Sequence, residues 1–123
     1  MTVHAARQEP SRDAAAHWRN QRVTAAVLVP LTCWLIWSLA GLAHADYKAA
    51  VVWVAHPLHT VLLILFIGTA FQHARLGLEV MFEDYLSTSP KLLALIGVTK
   101  FLTYALPLAA AFAVLKIWLL GEP

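Results

Sequence analysis

The run His73-Ala-Arg75-Leu-Gly77-Leu-Glu79-Val-Met-Phe-Glu83-Asp84-Tyr85 carries a metal-ligating imidazole at the end of a long apolar segment and an acid–phenol pair beyond it. An ionisable side chain at membrane depth is costly to bury, so its presence there points to function. The chemistry of a neutral imidazole in an apolar bundle offers three roles. It can be a hydrogen-bonded structural residue, a step in a proton relay, or an axial ligand of haem iron. Gly77 lies one turn after His73 on the same helix face, where a missing side chain would let a flat macrocycle approach. Arg75 stands beside this level and can pair with a haem propionate or snorkel to the headgroups.

Asp84 and Tyr85 supply a different chemistry. A phenol donates and accepts hydrogen bonds, so at a membrane surface it can hold a carbonyl oxygen of a lipophilic ligand. The adjacent carboxylate can orient that site or deliver protons. Both are also ordinary residues for a helix end at an interface. If the segment stays helical, Tyr85 lies about 18 Å from His73 along the axis.

The other histidines are less pointed. His4 and His17 fall in the polar N-terminal segment and read as solvated, and His44 falls in a short loop. His56 and His59 stand near the start of the second apolar segment. His59 and His73 share roughly one helix face about 21 Å apart, a spacing that two stacked haems would use. Alternatively, His56 and His59 face the outer surface or cap polar groups.

The elements that must position these residues follow from composition. Of 123 residues, 60% are apolar and 13% charged, against about 25% charged in a soluble domain. Mean hydropathy is +0.67. Val23–Ala45 and Ala49–Ala74 lack formal charges, and Leu92–Leu120 is interrupted only by Lys100 and Lys116. A bilayer core needs about 20 apolar helical residues. The chain therefore reads as an all-α membrane protein with three transmembrane helices, spans at 23–45, 49–78 and 91–119. An N-terminal tail over 1–22 precedes a membrane anchor domain over 23–120. No room remains for a soluble catalytic domain.

Within the tail, Ala14–Trp18 can begin a helix lying on the headgroups, and the first dozen residues read as disordered. The tail does not resemble a secretory signal, because a long polar stretch precedes a full-length span. Arg7, Arg12, Arg19 and Arg22 precede the first span, whereas Lys48 is the sole cation of the next loop. Basic residues mark the cytoplasmic side, so the N-terminus is expected inside, the C-terminus outside, and His73–Tyr85 toward the inner face. Lys116 can snorkel to the outer interface, and Lys100 inward or to a polar neighbour. Trp18, Tyr47, Trp53 and Trp118 suit the interfaces. Pro57 is expected near the start of its helix, Pro90 to begin the third, and Pro30 and Pro107 to sit within theirs. Cys33 cannot form an intrachain disulfide, being the single cysteine. The sequence has no Gly-rich phosphate loop, Cys-x-x-Cys or Ser-His-Asp pattern, and nucleic-acid binding has no support.

His73-Ala-x-x-Gly77 with Asp84-Tyr85, Arg22-Val23-Thr24-Ala25 at the opening of the first span, and the three-span layout together resemble a known family. It is the smaller, cytochrome b-type hydrophobic anchor subunit of succinate dehydrogenase, respiratory complex II. The resemblance covers residues 17–120 and implies that His73 is an axial ligand of haem b. The haem would lie between this chain and a second cytochrome b anchor subunit, which supplies the other ligand, in a heterodimeric anchor bundle. It further implies that Tyr85 hydrogen-bonds a carbonyl oxygen of ubiquinone, with Asp84 in the same neighbourhood. A flavoprotein subunit would oxidise succinate and an iron–sulfur subunit would pass electrons on, so this chain is not catalytic alone. A bacterial inner membrane is expected in preference to a mitochondrial one. The competing expectations are a tether without haem, or a two-haem cytochrome b subunit of another quinone oxidoreductase.

Overall fold

The computed structural model describes residues 2–86 and 88–121, with side chains from Asp13 onward. The described residues form four helices and no strands: α1 (Thr2–Leu42), α2 (Tyr47–Ala55), α3 (Pro57–Leu86) and α4 (Leu92–Leu120). Three of them contain stretches long and apolar enough to cross a membrane, at Asp13–Leu42, Pro57–Leu86 and Leu92–Leu120. At 1.5 Å per residue the α3 and α4 stretches run about 45 Å, longer than the roughly 30 Å hydrocarbon core.

The boundaries differ from expectation in three places, each with a local cause. First, α1 is a single helix from Thr2. The expected disordered start and separate surface helix are instead continuous with the first span: residues 11–29 hold no proline or glycine, and Pro10 lies within the helix. Pro30 and Pro107 likewise lie within continuous helices. Second, the expected span at 49–78 is divided. His56 is extended (φ −63°, ψ 128°) and ends α2. The ring of Pro57 disfavours a helical conformation at the residue before it. Proline then suits the first turn of α3, where its missing N–H would have no partner anyway. The preceding α2 is opened by Asp46, whose Oδ1 accepts the Ala49 N–H at 2.8 Å, an N-cap in the extended conformation. Third, Pro90 sits in the turn before α4, and Lys91 is the cap residue. The Lys91 N–H is held by Ser89 Oγ at 3.2 Å. At the far end Gly121 adopts φ 62°, and its N–H closes on Ile117 O, a left-handed cap that glycine supplies without a Cβ clash.

The break at Pro57 frees carbonyls that an apolar environment cannot hydrate. His59 Nδ1 lies 2.7 Å from Trp53 O, the carbonyl that Pro57 cannot serve. Since a carbonyl only accepts, Nδ1 carries the proton. Thr60 Oγ1 donates to Val54 O at 2.8 Å and lies 3.1 Å from His56 O. The His59 ring also stacks on Trp53 at 4.2 Å, with Trp34 at 6.1 Å. His59 therefore caps a polar group, one of its two expected roles. His59→Phe keeps an aromatic ring and removes the donor. It is expected to cost about 1–3 kcal/mol and to speed backbone hydrogen exchange over residues 53–60. Unchanged exchange there would remove the cap from this account.

The central helix is α3. It packs against α1 on one side and α4 on the other, and α2 touches both α3 and α4. Among the described residues there is no extensive contact between α1 and α4. The buried described residues are Leu31, Val51, Thr60, Leu76 and Thr99, so most of each helix is left to lipid or to other chains. This row-like layout decides which residues of α3 meet which neighbour.

Candidate functional site

His73 faces α1. Its Nδ1 lies 2.9 Å from Thr24 Oγ1, and that hydroxyl also lies 2.8 Å from Asn20 O and 3.0 Å from Gln21 O. The contact lies about one helical turn beyond a groove between α1 and α3, a cavity of about 600 Å³ that neither Thr24 nor His73 lines. The α1 side presents His17, Trp18 and Gln21, and the α3 side presents Gly77, Val80 and Glu83. The register is antiparallel: Thr24 meets His73, and Gln21 meets Gly77.

Gly77 stands on the groove face of α3. A methyl group there would touch Gln21 Nε2 at 3.7 Å, an ordinary contact. The α1–α3 packing does not itself demand glycine. What the missing side chain does is leave the groove open at Gly77, one helical turn from His73. Gln21 Oε1 is buried without a partner among the described residues. The donor set and the open face both fit a flat ligand with a metal centre. One imidazole nitrogen is tied down by Thr24, and Nε2 makes no hydrogen bond to another described residue.

Arg75 is placed elsewhere. Two residues along a helix turn the side chain about 200° away, so Arg75 points from the groove toward α4. Its Nη1 pairs with Glu79 at 3.2 Å, its Nη2 donates to Gln72 Oε1 at 3.0 Å, and its guanidinium covers the Tyr104 ring at 5.5 Å. The side chains of Arg75 and Glu79 are only 15% and 14% exposed. Arg75 and His73 are thus on opposite sides of α3, and the expected neighbours are not brought together within this chain. An ion pair with this little exposure is sensitive to losing one partner, since the other charge is then left alone in a poor solvent for it. Arg75→Leu or Glu79→Gln alone is expected to lower the thermal midpoint of the purified assembly. The double change Arg75→Leu/Glu79→Leu should lower it less. Equal or greater loss in the double variant would remove the ion pair from this account.

Asp84 and Tyr85 occupy the last turn of α3. Because α3 is helical from His73 to Tyr85, the expected axial separation of about 18 Å holds. Asp84 returns to within about 20° of the His73 and Gly77 face, whereas Tyr85 is turned about 100° from it. Both are exposed, Tyr85 at 84%. Neither makes a hydrogen bond to another described residue. Lys100 is exposed on α4. No group of three or more His, Cys, Asp or Glu side chains converges among the described residues.

The sequence reading passed over Thr24 as a partner of His73, Gln21 and His17 as groove residues, and Glu79 and Tyr104 as partners of Arg75. Only Glu79 had a local signal, its four-residue spacing from Arg75. The others meet across helices.

Residues 5–117 match the family described as succinate dehydrogenase/fumarate reductase transmembrane subunit. Among similar curated proteins, the succinate dehydrogenase hydrophobic membrane anchor subunit of Rickettsia bellii (strain RML369-C) is 30% identical over 77 residues, 63% of this chain and 62% of that protein. The subunit of the same name from Rickettsia conorii is 30% identical over 86 residues, 69% of this chain and 68% of that protein. The one from Rickettsia typhi is 31% identical over 77 residues, 63% and 62% of the two chains. The chain thus spans somewhat under two thirds of the Rickettsia bellii and Rickettsia typhi proteins. No solved structure matches.

Proposed function

The chain belongs to the succinate dehydrogenase/fumarate reductase transmembrane subunit family, and on that premise we propose that it is the membrane anchor subunit of a succinate:ubiquinone oxidoreductase. Its part is to hold one side of haem b and to contribute to the site where ubiquinone is reduced. The observation that carries this reading is the placement of His73. Its ring is held between α1 and α3 through Nδ1, about one helical turn from an open groove lined by Gly77.

In this reading His73 would hold the haem iron from this chain, and Gly77 would leave room for the macrocycle. When bound, haem b supplies a one-electron store near the quinone. A second cytochrome b anchor subunit would supply the other histidine. Flavoprotein and iron–sulfur subunits oxidise succinate and bring electrons to the membrane. Tyr85 donates its hydroxyl proton in a hydrogen bond to a quinone carbonyl oxygen. Asp84, beside it, orients the headgroup or relays protons, since each quinone takes up two electrons and two protons. The exposure of both side chains at one end of α3 supports a site completed by other chains. Arg75 is best assigned to packing α3 against α4 through the Tyr104 ring, with Glu79 on the same helix as its counter-ion. A propionate role for Arg75 would show as a changed haem potential in Arg75→Leu.

The arginine-rich N-terminus supports an interior N-terminus and an exterior C-terminus in a bacterial inner membrane. The bacterial sources of the relatives support the same location. Purification through a tag on this chain tests the whole assignment. Copurifying flavoprotein and iron–sulfur chains with one haem b per copy are expected. A complex without haem would make the chain a tether, and two haems per copy would make it a two-haem cytochrome.

A further inference from the structure

We propose that Thr24 is a positioning residue for the haem ligand: its hydroxyl oxygen accepts the Nδ1 proton of His73 and fixes the imidazole as the tautomer whose Nε2 lone pair is free for iron. This rests on His73 being the axial ligand. It goes further by naming what holds the ring in the required protonation pattern.

The argument is a count of protons. Thr24 Oγ1 has one proton and three polar neighbours. Two are carbonyl oxygens, Asn20 O at 2.8 Å and Gln21 O at 3.0 Å. The third is His73 Nδ1 at 2.9 Å. A carbonyl only accepts. If the hydroxyl proton pointed at Nδ1, the hydroxyl oxygen would face two carbonyl oxygens at hydrogen-bond distance with no proton between them. The proton therefore lies toward the carbonyls, shared between the i−4 and i−3 oxygens. The hydroxyl can then only accept from Nδ1. A neutral imidazole has one N–H, so Nε2 holds a lone pair. Ligating histidines commonly donate their other N–H to an acceptor, which fixes ring orientation and raises ligand basicity. In most sites that acceptor is a carboxylate, carbonyl or water. Here it is a hydroxyl already charged with donating elsewhere, on a different helix from the ligand.

The contact has a directional consequence. A more basic imidazole favours ferric over ferrous iron. Removing the acceptor should weaken that preference and raise the haem midpoint potential. Thr24→Val keeps the shape and deletes the hydroxyl. Thr24→Ser keeps the hydroxyl.

The test is redox titration of the b-type absorbance in the purified complex, with subunit composition and dye-coupled succinate oxidation as controls for assembly. Thr24→Val is expected to reduce the ferric preference on the order of tenfold, an upward shift of about 59 mV for one electron, or to lower haem occupancy in an assembled complex. Thr24→Ser should restore wild-type values. An unchanged potential and occupancy in assembled Thr24→Val overturns the proposal. So does failure of Thr24→Val to assemble while Thr24→Ser assembles, since the hydroxyl would then serve the helix pair and not the ring. Absence of any b-type haem in the wild-type complex is a separate result, and it removes the ligand assignment for His73 itself.

Discussion

A complex carrying His73→Ala is expected to lose its reduced-minus-oxidised b-type absorbance while retaining oxidation of succinate with an artificial dye. Loss of an outer-shell partner alone commonly costs about 10–100-fold in metal affinity, so removing the ligand should cost at least that. The substitution is mild for the fold. Alanine removes the Nδ1 donor, but Thr24 keeps its bonds to Asn20 O and Gln21 O. No buried polar group is left stranded, and the loss is that of one hydrogen bond, about 0.5–1.5 kcal/mol. Full assembly with an unchanged spectrum would rule His73 out as a ligand. The structural role as a bonded bundle histidine would then be sufficient, because the contact to Thr24 already satisfies one ring nitrogen.

Tyr85→Phe is the second large effect. Tyr85 is 84% exposed and stands in the last turn of α3. Its hydroxyl has no partner among the described residues, so deleting it should cost this chain no stability. Any effect must come from outside the chain. If the hydroxyl donates to a quinone carbonyl, losing that bond removes about 1.4 kcal/mol, close to tenfold in kcat/KM for quinone. Dye-coupled succinate oxidation should remain at the wild-type rate. Asp84→Asn is a useful companion, since it retains an acceptor at the same place without the charge. Equal loss of quinone and dye activities in Tyr85→Phe would indicate faulty assembly and would dissociate the phenol from quinone.

These two residues show how much of the site one dimension can carry. His73, Gly77, Asp84 and Tyr85 lie on a single helix, so their relative placement follows from 3.6 residues per turn and needs no tertiary information. The His56–Pro57 break was also written locally, in the conformational limits of a residue before proline. It was nevertheless passed over, because both sides of the break are equally apolar and composition alone shows one segment.

Partnerships across helices are another matter. Nothing near His73 in sequence indicates that Thr24 would meet it, since the two are separated by all of α2 and two turns. Arg75 could be read as a snorkelling cation or as a counter-ion because both use the same side chain. Its placement over the Tyr104 ring of α4 was settled by which face of α3 that helix covers. His59 could be a ligand or a cap until the break at Pro57 put Trp53 O within its reach.

The sequence by itself determined an all-helical membrane chain, three apolar stretches, and a helix carrying an imidazole with an acid–phenol pair about three turns further on. Those features depend on side-chain hydropathy and helix period, which are properties of neighbouring residues. Only the tertiary structure decided that His73 turns to α1 and Arg75 to α4, that Thr24 is the imidazole's partner, and that an open groove runs beside Gly77. The physical reason is that helix–helix contact is set by packing between segments far apart in the chain. Hydrogen-bond partners inside an apolar bundle are then whatever donors and acceptors that packing brings within about 3 Å.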